Sequence, residues 1–226
     1  MVSRLRCFIG GILFCFFTSS FALHATENDD LVKAMMEVYA EELAANPQDY
    51  RTYYSRAMAY FGQGDMKKAL SDIDNAIKYF PRKEKDDLAQ AYLLRAKILS
   101  ERGETKSALT DLNSALRLVP NHRLALKDRG DLLCRLGQYD MAKIDYNHLL
   151  RMDTRSQSAF MGLARVEAHT GQPVRAKDLL AQAVNLSPKD PKIYLERSEI
   201  YKEMDMMPEA VDDLVYAGSD TKAGRL

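Results

Sequence analysis

The chain has 226 residues, 46% of them hydrophobic, and 32 basic and 32 acidic side chains, so its formal net charge is zero. The lack of a basic excess argues against nonspecific binding to nucleic acid or to anionic lipid, and we expect no nucleic-acid partner. A chain of this length can bury a core large enough to stabilise a fold through apolar contacts alone.

Residues 1–22 have the pattern of a secretory signal peptide. Two arginines precede the apolar run CFIGGILFCFF at 7–17, and small residues at 20 and 22 suit a signal peptidase, with a later cleavage option at 25. An uncleaved anchor is the alternative, but the apolar run is shorter than the roughly 20 residues of a spanning helix. We therefore expect an exported protein with no integral membrane span after cleavage, located in a bacterial periplasm or secreted.

Cleavage of this signal would remove Cys7 and Cys15 and leave Cys134 as the remaining cysteine. The mature fold would then contain no internal disulfide. A redox or nucleophilic role for Cys134 needs a lowered thiol pKa and a neighbouring base, and the sequence provides evidence for neither.

Residues 27–46 predict one helix ahead of the main fold. Leu31, Met35, Val38 and Leu43 fall near helical spacing, and polar residues at 28–30 are candidate caps for the start of this helix. We expect an N-terminal capping helix that packs on the open side of the region that follows.

The region at 47–217 repeats with a nearly fixed period. A period near 34 predicts a repeat architecture, in which each unit buries its apolar face against its neighbours. The charged run at 82–87, RKEKDD, contains the extra residues of the first interval, and we expect a longer, solvated link there. The alanines that open the repeated pattern are spaced by 39, 34, 34 and 34 residues: Ala69, Ala108, Ala142, Ala176 and Ala210.

Each unit predicts two helices joined by a tight turn. A small residue lies 12 positions before each opening alanine, where it allows two helices to approach closely. A glycine lies five positions before the alanine in four units, and Asp205 takes that place in the fifth. Glycine suits the left-handed conformation that ends a helix. Proline closes the first, second and fourth units, where it discourages continuation of the second helix.

The first unit reads Tyr53, Arg56-Ala57, Tyr60, Ala69, Ile73, Ala76 and Pro81, and four of the five units keep an arginine before the small residue. This spacing closely resembles that of the tetratricopeptide repeat family, W-x2-L-G-x2-Y followed by A-x3-F and P. The resemblance implies an all-α, right-handed α-solenoid of about five helix-turn-helix units with an N-terminal capping helix. The repeats would lie near 50–83, 89–122, 123–156, 157–190 and 191–217, followed by a tail at 218–226. A helical bundle without repeats is the alternative.

The residue patterns typical of catalysis or metal binding are missing from the sequence. There is no glycine-rich phosphate loop and no Cys/His cluster with zinc spacing. The neighbouring acids Asp72 and Asp74, and likewise Asp212 and Asp213, are interpreted as solvated helix faces rather than as a general acid-base pair. We expect the protein to be no enzyme and to bind no cofactor and no metal.

By resemblance to the family, the first helices of the units line a concave groove that holds a peptide or a helix of a partner protein. The N-terminal part of this groove is aromatic and apolar, and its middle leans basic, which suits a partner segment with an apolar anchor and acidic groups. The alternative is that these side chains are ordinary solvated helix faces. The side chains expected to face the groove are Tyr54, Met58, Phe61, Lys97, Lys127, Asp131, Arg135, Arg165 and Lys192.

The expected function is that of an exported adaptor or scaffold, in assembly of the cell envelope or in the handling of envelope proteins. The alternative is an accessory module that binds a small molecule or glycan for an envelope enzyme system, which needs a deep, enclosed aromatic pocket rather than a long open groove. At the C-terminal edge we expect Val211, Val215 and Tyr216 to be partly exposed, and such an edge favours self-association or a docked partner.

Overall fold

The computed structural model describes residues 24–223, with side chains described from 31 to 218, and the predicted signal peptide lies outside them. The described residues form eleven α-helices and no strand, which confirms the predicted all-helical fold. The helices are α1 (His24–Ala45), α2 (Tyr50–Gly62), α3 (Met66–Tyr79), α4 (Lys85–Glu101), α5 (Thr105–Leu118), α6 (Arg123–Arg135), α7 (Tyr139–Met152), α8 (Gln157–His169), α9 (Pro173–Leu186), α10 (Pro191–Glu203) and α11 (Met207–Ala223).

Helices α2 to α11 form five pairs, and a three-residue turn joins the two helices of each pair. Packing is densest within the pairs, and each pair also packs on the next one. The first helices of successive pairs meet directly as well, α6 with α8 and α8 with α10. The result is the predicted solenoid, with the first helices α2, α4, α6, α8 and α10 on one side and the second helices on the other.

The opening alanines lie where the two helices of each pair cross. All five have 0% of their surface exposed. Because alanine has no side chain beyond Cβ, the two helices approach closely there, and the larger apolar side chains nearby fill the space beside the crossing. The period found in the sequence is therefore a period of close helix crossings.

The five turns within the pairs share one backbone conformation. The turns after α2, α4, α6 and α8 each contain a glycine with φ between 71° and 79°, the region in which glycine is unstrained. Asp205, after α10, adopts the same conformation with φ of 58°. Its N–H donates to the carbonyl of Lys202 at 3.0 Å, and the next N–H donates to the carbonyl of Tyr201 at 2.8 Å. The last pair thus keeps the turn of the others without the glycine.

Four of the five pairs are joined by a buried ion pair between an arginine of the first helix and an aspartate 16 residues later on the second. Each arginine donates two hydrogen bonds of 2.6–2.8 Å to the two oxygens of its aspartate. The aspartates are only 1–4% exposed, and such bidentate pairing is the geometry that a buried carboxylate requires. The ion pairs are Arg56–Asp72, Arg95–Asp111, Arg129–Asp145 and Arg197–Asp213.

The interpretation of Asp72 and Asp213 as solvated residues is therefore wrong. Both are buried because an arginine on the facing helix takes up both of their oxygens. Their neighbours Asp74 and Asp212 do remain exposed. Asp74 accepts a hydrogen bond of 2.8 Å from Arg95, so this arginine joins its own unit to the preceding one.

The fourth pair, α8 and α9, replaces both members of the ion pair by leucine, Leu163 and Leu179. The two replacements occur together because either charged residue alone would be left buried without a partner. A different ion pair joins this unit to the one before it. Lys143 of α7 donates a hydrogen bond of 2.7 Å to the buried carboxylate of Glu167 on α8.

Helices α1 and α11 form the two ends of the described stack. Helix α1 contacts α2 near its own C-terminal end, where Leu43 is buried and Glu42 accepts a hydrogen bond of 2.9 Å from Thr52. Helix α11 continues to Ala223, past the point at which the sequence predicts a tail. Val211 and Val215 on α11 are 49% and 65% exposed, so the apolar edge expected from the sequence is present.

Candidate functional site

The first helices of the stack line a groove that contains two pockets. One pocket, of about 270 Å³, is lined by α2, α4, α5 and α6 and is called the α4–α6 pocket. The other, of about 360 Å³, is lined by α6, α8 and α10 and is called the α8–α10 pocket. Asp131 of α6 borders both pockets. The two pockets are therefore parts of one surface that crosses the first helices.

The three residues predicted at the N-terminal end of the groove differ in their surroundings. Phe61 borders the α4–α6 pocket, and Met58 is 45% exposed. Tyr54 is partly buried and packs against the core of the first two units. Burial, and after it the charge of Asp87, raises the pKa of the Tyr54 hydroxyl. Met58 and Phe61 are thus available to a ligand, whereas Tyr54 also contributes to the packing of the fold.

Three of the four basic residues predicted in the middle of the groove already face a carboxylate. The nitrogen–oxygen distances are 3.8 Å for Lys97 and Asp128, 2.7 Å for Lys127 and Asp131, and 3.2 Å for Arg165 and Glu203. Partly exposed pairs of this kind add little to stability, but they cancel the positive charge of the groove.

Two cations border the groove without a carboxylate partner among the described residues. Arg135 borders the α4–α6 pocket and donates a hydrogen bond of 2.8 Å to the hydroxyl of Ser100. Lys192 is exposed and borders the α8–α10 pocket. The middle of the groove is therefore nearly balanced in charge, rather than basic as the spacing of its lysines and arginines suggests.

Tyr146, on the second helix α7, reaches the groove from behind. Its side chain is fully buried, and its hydroxyl donates a hydrogen bond of 2.6 Å to Oδ1 of Asp131. The other oxygen of Asp131 accepts a hydrogen bond of 2.7 Å from Lys127. Burial, and after it the charge of Asp131, raises the pKa of Tyr146, so the hydroxyl remains a donor. Asp131 is thus held in one orientation where the two pockets meet.

Two glycines make room for the ring of Tyr146. A Cβ atom added to Gly130 of α6 would lie 2.8 Å from the ring, and one added to Gly162 of α8 would lie 2.2 Å from it. Both distances are shorter than van der Waals contact, so neither position accepts a side chain while the ring stays in place. A glycine inside a helix costs about 1 kcal/mol relative to alanine. The chain has this unfavourable residue twice, on either side of one tyrosine.

The groove residues predicted from the sequence do not include Tyr146, because the second half of the third unit, residues 142–154, is an imperfect copy of the repeat. The sequence nevertheless contains a signal. The other four units have isoleucine or leucine at the position of Tyr146, and three of them have alanine at the position of Gly130. An enlarged residue on one helix together with a reduced residue on its partner indicates that the two are in contact.

Asp128 lies one turn before Asp131 on α6 and borders the α4–α6 pocket. Its Oδ2 atom is buried and accepts no hydrogen bond from the described residues. The nearest cation, Nζ of Lys97, is 3.8 Å away and beyond hydrogen-bond distance. Burial raises the pKa of the Asp128 carboxyl, and the charge of Lys97 acts in the opposite direction. A buried acceptor without a donor is energetically unfavourable, so this carboxylate is poorly satisfied.

Cys134 of α6 lies behind the groove, with its sulfur 3.9 Å from the hydroxyl oxygen of Tyr146. The residue is buried, and burial raises the pKa of its thiol, which disfavours the reactive thiolate. The side chains described at 31–218 contain no group of His, Cys, Asp and Glu that could hold a metal ion. Among the helices at 24–223, none combines the length and the apolar character needed to cross a membrane.

Comparisons with known proteins agree with this architecture. A family model described as "Tetratricopeptide repeat" matches residues 36–89, 54–123 and 127–191. A tetratricopeptide repeat protein from Parabacteroides merdae is 26% identical, with a TM-score of 0.73, and the match covers 86% of this chain and 75% of that one. MamA from Desulfovibrio magneticus RS-1 is 17% identical, with a TM-score of 0.60 and coverage of 77% and 96%.

A further similar structure is that of YrrB, described as a TPR protein with an unusual peptide-binding site. It is 17% identical, with a TM-score of 0.57, and the match covers 79% of this chain and 90% of YrrB. A search among curated proteins found no match. The matches to the family model together span more than half of the chain, in the same region as the helix pairs, their buried alanines and their left-handed turns. The chain therefore belongs to the tetratricopeptide repeat family.

Proposed function

We propose that this protein is an exported, non-enzymatic adaptor that binds a segment of a partner protein in the groove of its first helices. The observation that carries the proposal is the sharing of Asp131 by two pockets, which makes one surface across α2, α4, α6, α8 and α10. Repeat solenoids use extended surfaces of this kind to hold peptides or helices. The likeness of the fold to that of YrrB, whose description mentions a peptide-binding site, is consistent with this use.

The partner segment would be held by apolar contacts at one end of the groove and by polar contacts along the rest. Met58 and Phe61 would receive an apolar side chain, since buried apolar anchors supply much of the energy of such interfaces. Acidic groups of the partner would contact Arg135 and Lys192, which have no carboxylate partner among the described residues. The internally paired lysines and Arg165 would contribute to specificity more than to affinity.

An accessory module for a small molecule or glycan is the alternative function that the sequence leaves open. Such a module needs a deep and enclosed pocket lined by aromatic residues. Both groove pockets are open to solvent. Phe61, in the α4–α6 pocket, is the single aromatic residue among the described residues that line the two pockets. The geometry of the groove thus favours an extended protein segment as the ligand.

The site of action that we propose is the cell envelope, in the assembly or the handling of envelope proteins, with the periplasm preferred over secretion. This part of the proposal rests on the signal-peptide pattern at 1–22. Intact-mass measurement of protein from the exported fraction should give a chain that begins at Leu23 or Thr26. A mature chain that retains residues 1–22 would contradict cleavage.

We also propose that the exposed face of α11 is a second contact surface, at which the protein associates with itself. Every earlier second helix packs on the first helix of the next pair, whereas α11 has no such neighbour among the described residues. Val211 and Val215 would be covered in the associated state. Sedimentation should detect association that Val215→Glu abolishes, and a monomer unaffected by this substitution would contradict the proposal.

Site-specific photo-crosslinking in the protein's own cells tests the groove proposal. A photoreactive phenylalanine analogue would replace Met58 at one end of the groove or Lys192 at the other. As a matched control, it would replace Ile144, which is 63% exposed on the second helix α7. The proposal predicts that both groove positions crosslink to the same polypeptide and that position 144 does not. Crosslinks to a common partner from position 144 alone would place the binding surface on the second helices.

A further inference from the structure

The α4–α6 pocket combines apolar and acidic walls. Phe61 and the buried side chain of Leu112 form part of its apolar lining. Three carboxylates, those of Glu101, Asp128 and Asp131, border the same pocket. An apolar wall next to carboxylates suits a long side chain that has an aliphatic stem and a cationic end.

Of these three carboxylates, that of Asp128 has a buried oxygen atom without a hydrogen-bond donor in the described part of the chain. Its Oδ2 is removed from water and accepts no hydrogen bond from the described residues. A buried carboxylate is satisfied by a donor that is also positively charged, because the hydrogen bond and the charge are then supplied together. The long ion pair with Lys97 thus leaves one oxygen of this carboxylate without a hydrogen bond, and the Asp128 side chain, 22% exposed, borders the surface that we propose for binding.

Asp131 presents a second carboxylate to the same pocket in a fixed orientation. The hydroxyl of Tyr146 and the ammonium of Lys127 each hold one of its oxygens, at 2.6 Å and 2.7 Å. Each oxygen retains a lone pair for a further donor. Seating the ring of Tyr146 requires Gly130 and Gly162, so the orientation of Asp131 depends on three coordinated residues. An arrangement that weakens two helices at the centre of a groove is better explained by binding than by stability.

Neither of the two cations that border the α4–α6 pocket, Lys97 and Arg135, donates a hydrogen bond to Asp128. Nζ of Lys97 lies 3.8 Å from Asp128, and its side chain is about two-fifths exposed. Arg135 is exposed and donates to Ser100 rather than to a carboxylate. Glu101 is exposed and has no ion pair among the described residues. A cation supplied by a ligand would therefore meet Asp128 without having to break a short ion pair, and it would use the lone pairs left on Asp131 beside the bonds to Tyr146 and Lys127.

We infer that the α4–α6 pocket receives a lysine or arginine side chain of the bound protein segment. Its aliphatic stem would lie along Phe61 and Leu112, and its cation would donate to Asp128 and Asp131. This inference rests on the proposed function and adds one specific requirement to it. The bound segment has a basic residue at the position that faces α6, flanked by the apolar residue that contacts Met58.

Arrayed synthetic peptides test this requirement. Short peptides with random flanks would have one fixed central residue: lysine, arginine, acetyl-lysine, leucine or glutamate. Acetyl-lysine keeps the length of the lysine stem and removes the charge. The wild-type protein, the isosteric variant Asp128→Asn and the control variant Asp212→Asn would be applied in turn. Asp212 is an exposed acid on α11, away from the groove, and circular dichroism would establish that both variants are folded.

We expect lysine-centred and arginine-centred peptides to retain at least about five times as much wild-type protein as the other three sets do. A difference of this size is typical of a charge pair made on binding. Asp128→Asn should reduce this preference to about twofold or less, and Asp212→Asn should leave it unchanged. A preference for glutamate or leucine, equal retention by acetyl-lysine and lysine, or an intact preference in Asp128→Asn would each overturn the inference.

The same array separates failure of this inference from failure of the proposed function. If all five peptide sets retain the protein equally, the inference of a pocket for a basic side chain is refuted. The groove proposal is not contradicted by that result. If no peptide set retains the protein above an array of glycine–serine peptides, both the groove proposal and this inference fail.

Discussion

The hydroxyl oxygen of Tyr146 lies 2.6 Å from Oδ1 of Asp131, so a residue from the second helix α7 holds a carboxylate that lines the groove of the first helices. The contact passes between Gly130 and Gly162, which leave space for the ring. The packing of the third helix pair and the shape of the groove are therefore linked. Substitutions at these positions should affect stability in ways that the repeat pattern alone does not predict.

Gly162→Ala should destabilise the protein by about 1–3 kcal/mol through overpacking, although alanine is ordinarily better than glycine in a helix by about 1 kcal/mol. The reason is the 2.2 Å distance between the new Cβ and the ring of Tyr146. In a Tyr146→Leu background, with the residue that most other units have there, the same substitution should be neutral or stabilising. Urea unfolding of the four proteins measures this coupling, and an equal loss in both backgrounds would contradict the close packing.

The ion pair between Arg129 and Asp145 should behave as a unit. Arg129→Leu leaves a carboxylate that is 1% exposed without its partner, and we expect a loss of about 3 kcal/mol. Asp145→Leu leaves a partly exposed guanidinium and should cost about 1–2 kcal/mol. The double variant reproduces Leu163 and Leu179 of the fourth pair and should be more stable than Arg129→Leu alone. Additive losses in denaturant unfolding would show that the two residues do not depend on each other.

Asp205→Gly should stabilise the protein by about 0.5–1 kcal/mol, because glycine adopts the left-handed conformation without strain. The matched control is Gly171→Asp, which places the same residue in the equivalent turn of the preceding pair and should destabilise by a similar amount. Thermal melts of both variants and the wild type provide the comparison. A lower melting temperature for Asp205→Gly would mean that the aspartate side chain has a stabilising contact that outweighs the backbone strain.

Asp128 should make stability depend on pH in a definite direction. Its folded-state pKa is raised above the ordinary value of 3.8, so its contribution favours the fold while the carboxyl is protonated and is lost as the pH rises through the folded pKa. Asp128→Asn removes this loss. The melting temperature of Asp128→Asn relative to wild type should therefore increase between about pH 3 and about pH 6.5. A difference that stays constant or decreases would show that Lys97 already compensates the charge.

The sequence predicts most of the fold because the fold repeats. The five alanines and the turn glycines recur with the period of the helix pairs, and both are required wherever two helices cross or reverse direction. In the fifth turn the sequence departs from this pattern, because Asp205 replaces glycine there. The turn forms because the N–H groups of Asp205 and Met206 donate to carbonyls at the end of α10, and because aspartate tolerates the left-handed conformation better than most residues.

The candidate site is less predictable, since it depends on pairings between units. The positions of Lys97, Lys127 and Arg165 are evident from the period, but their carboxylate partners lie either on the same helix or on the next first helix, so the charge balance appears only in three dimensions. The burial of Asp72 has a periodic signal, a spacing of 16 residues from Arg56, that is recognisable once one pair is known. The link from Tyr146 to Asp131 has no counterpart in the other units.

The most direct test of the groove uses a synthetic peptide of the segment that photo-crosslinks at positions 58 and 192. Calorimetric titration would compare wild type with Met58→Ala, Lys192→Glu and the control Ile144→Ala. Met58 is preferred to Tyr54 for this purpose because Tyr54 packs against the core and its loss would also affect folding.

The groove account predicts that Met58→Ala weakens binding of this peptide by about 1 kcal/mol or more, as for the loss of an apolar anchor contact. Lys192→Glu should weaken binding and change its dependence on salt, since the substitution reverses an exposed charge at the α8–α10 pocket. Ile144→Ala should bind as the wild type does. Wild-type affinity for both groove variants, together with a loss in Ile144→Ala, would contradict the account and assign binding to the second helices.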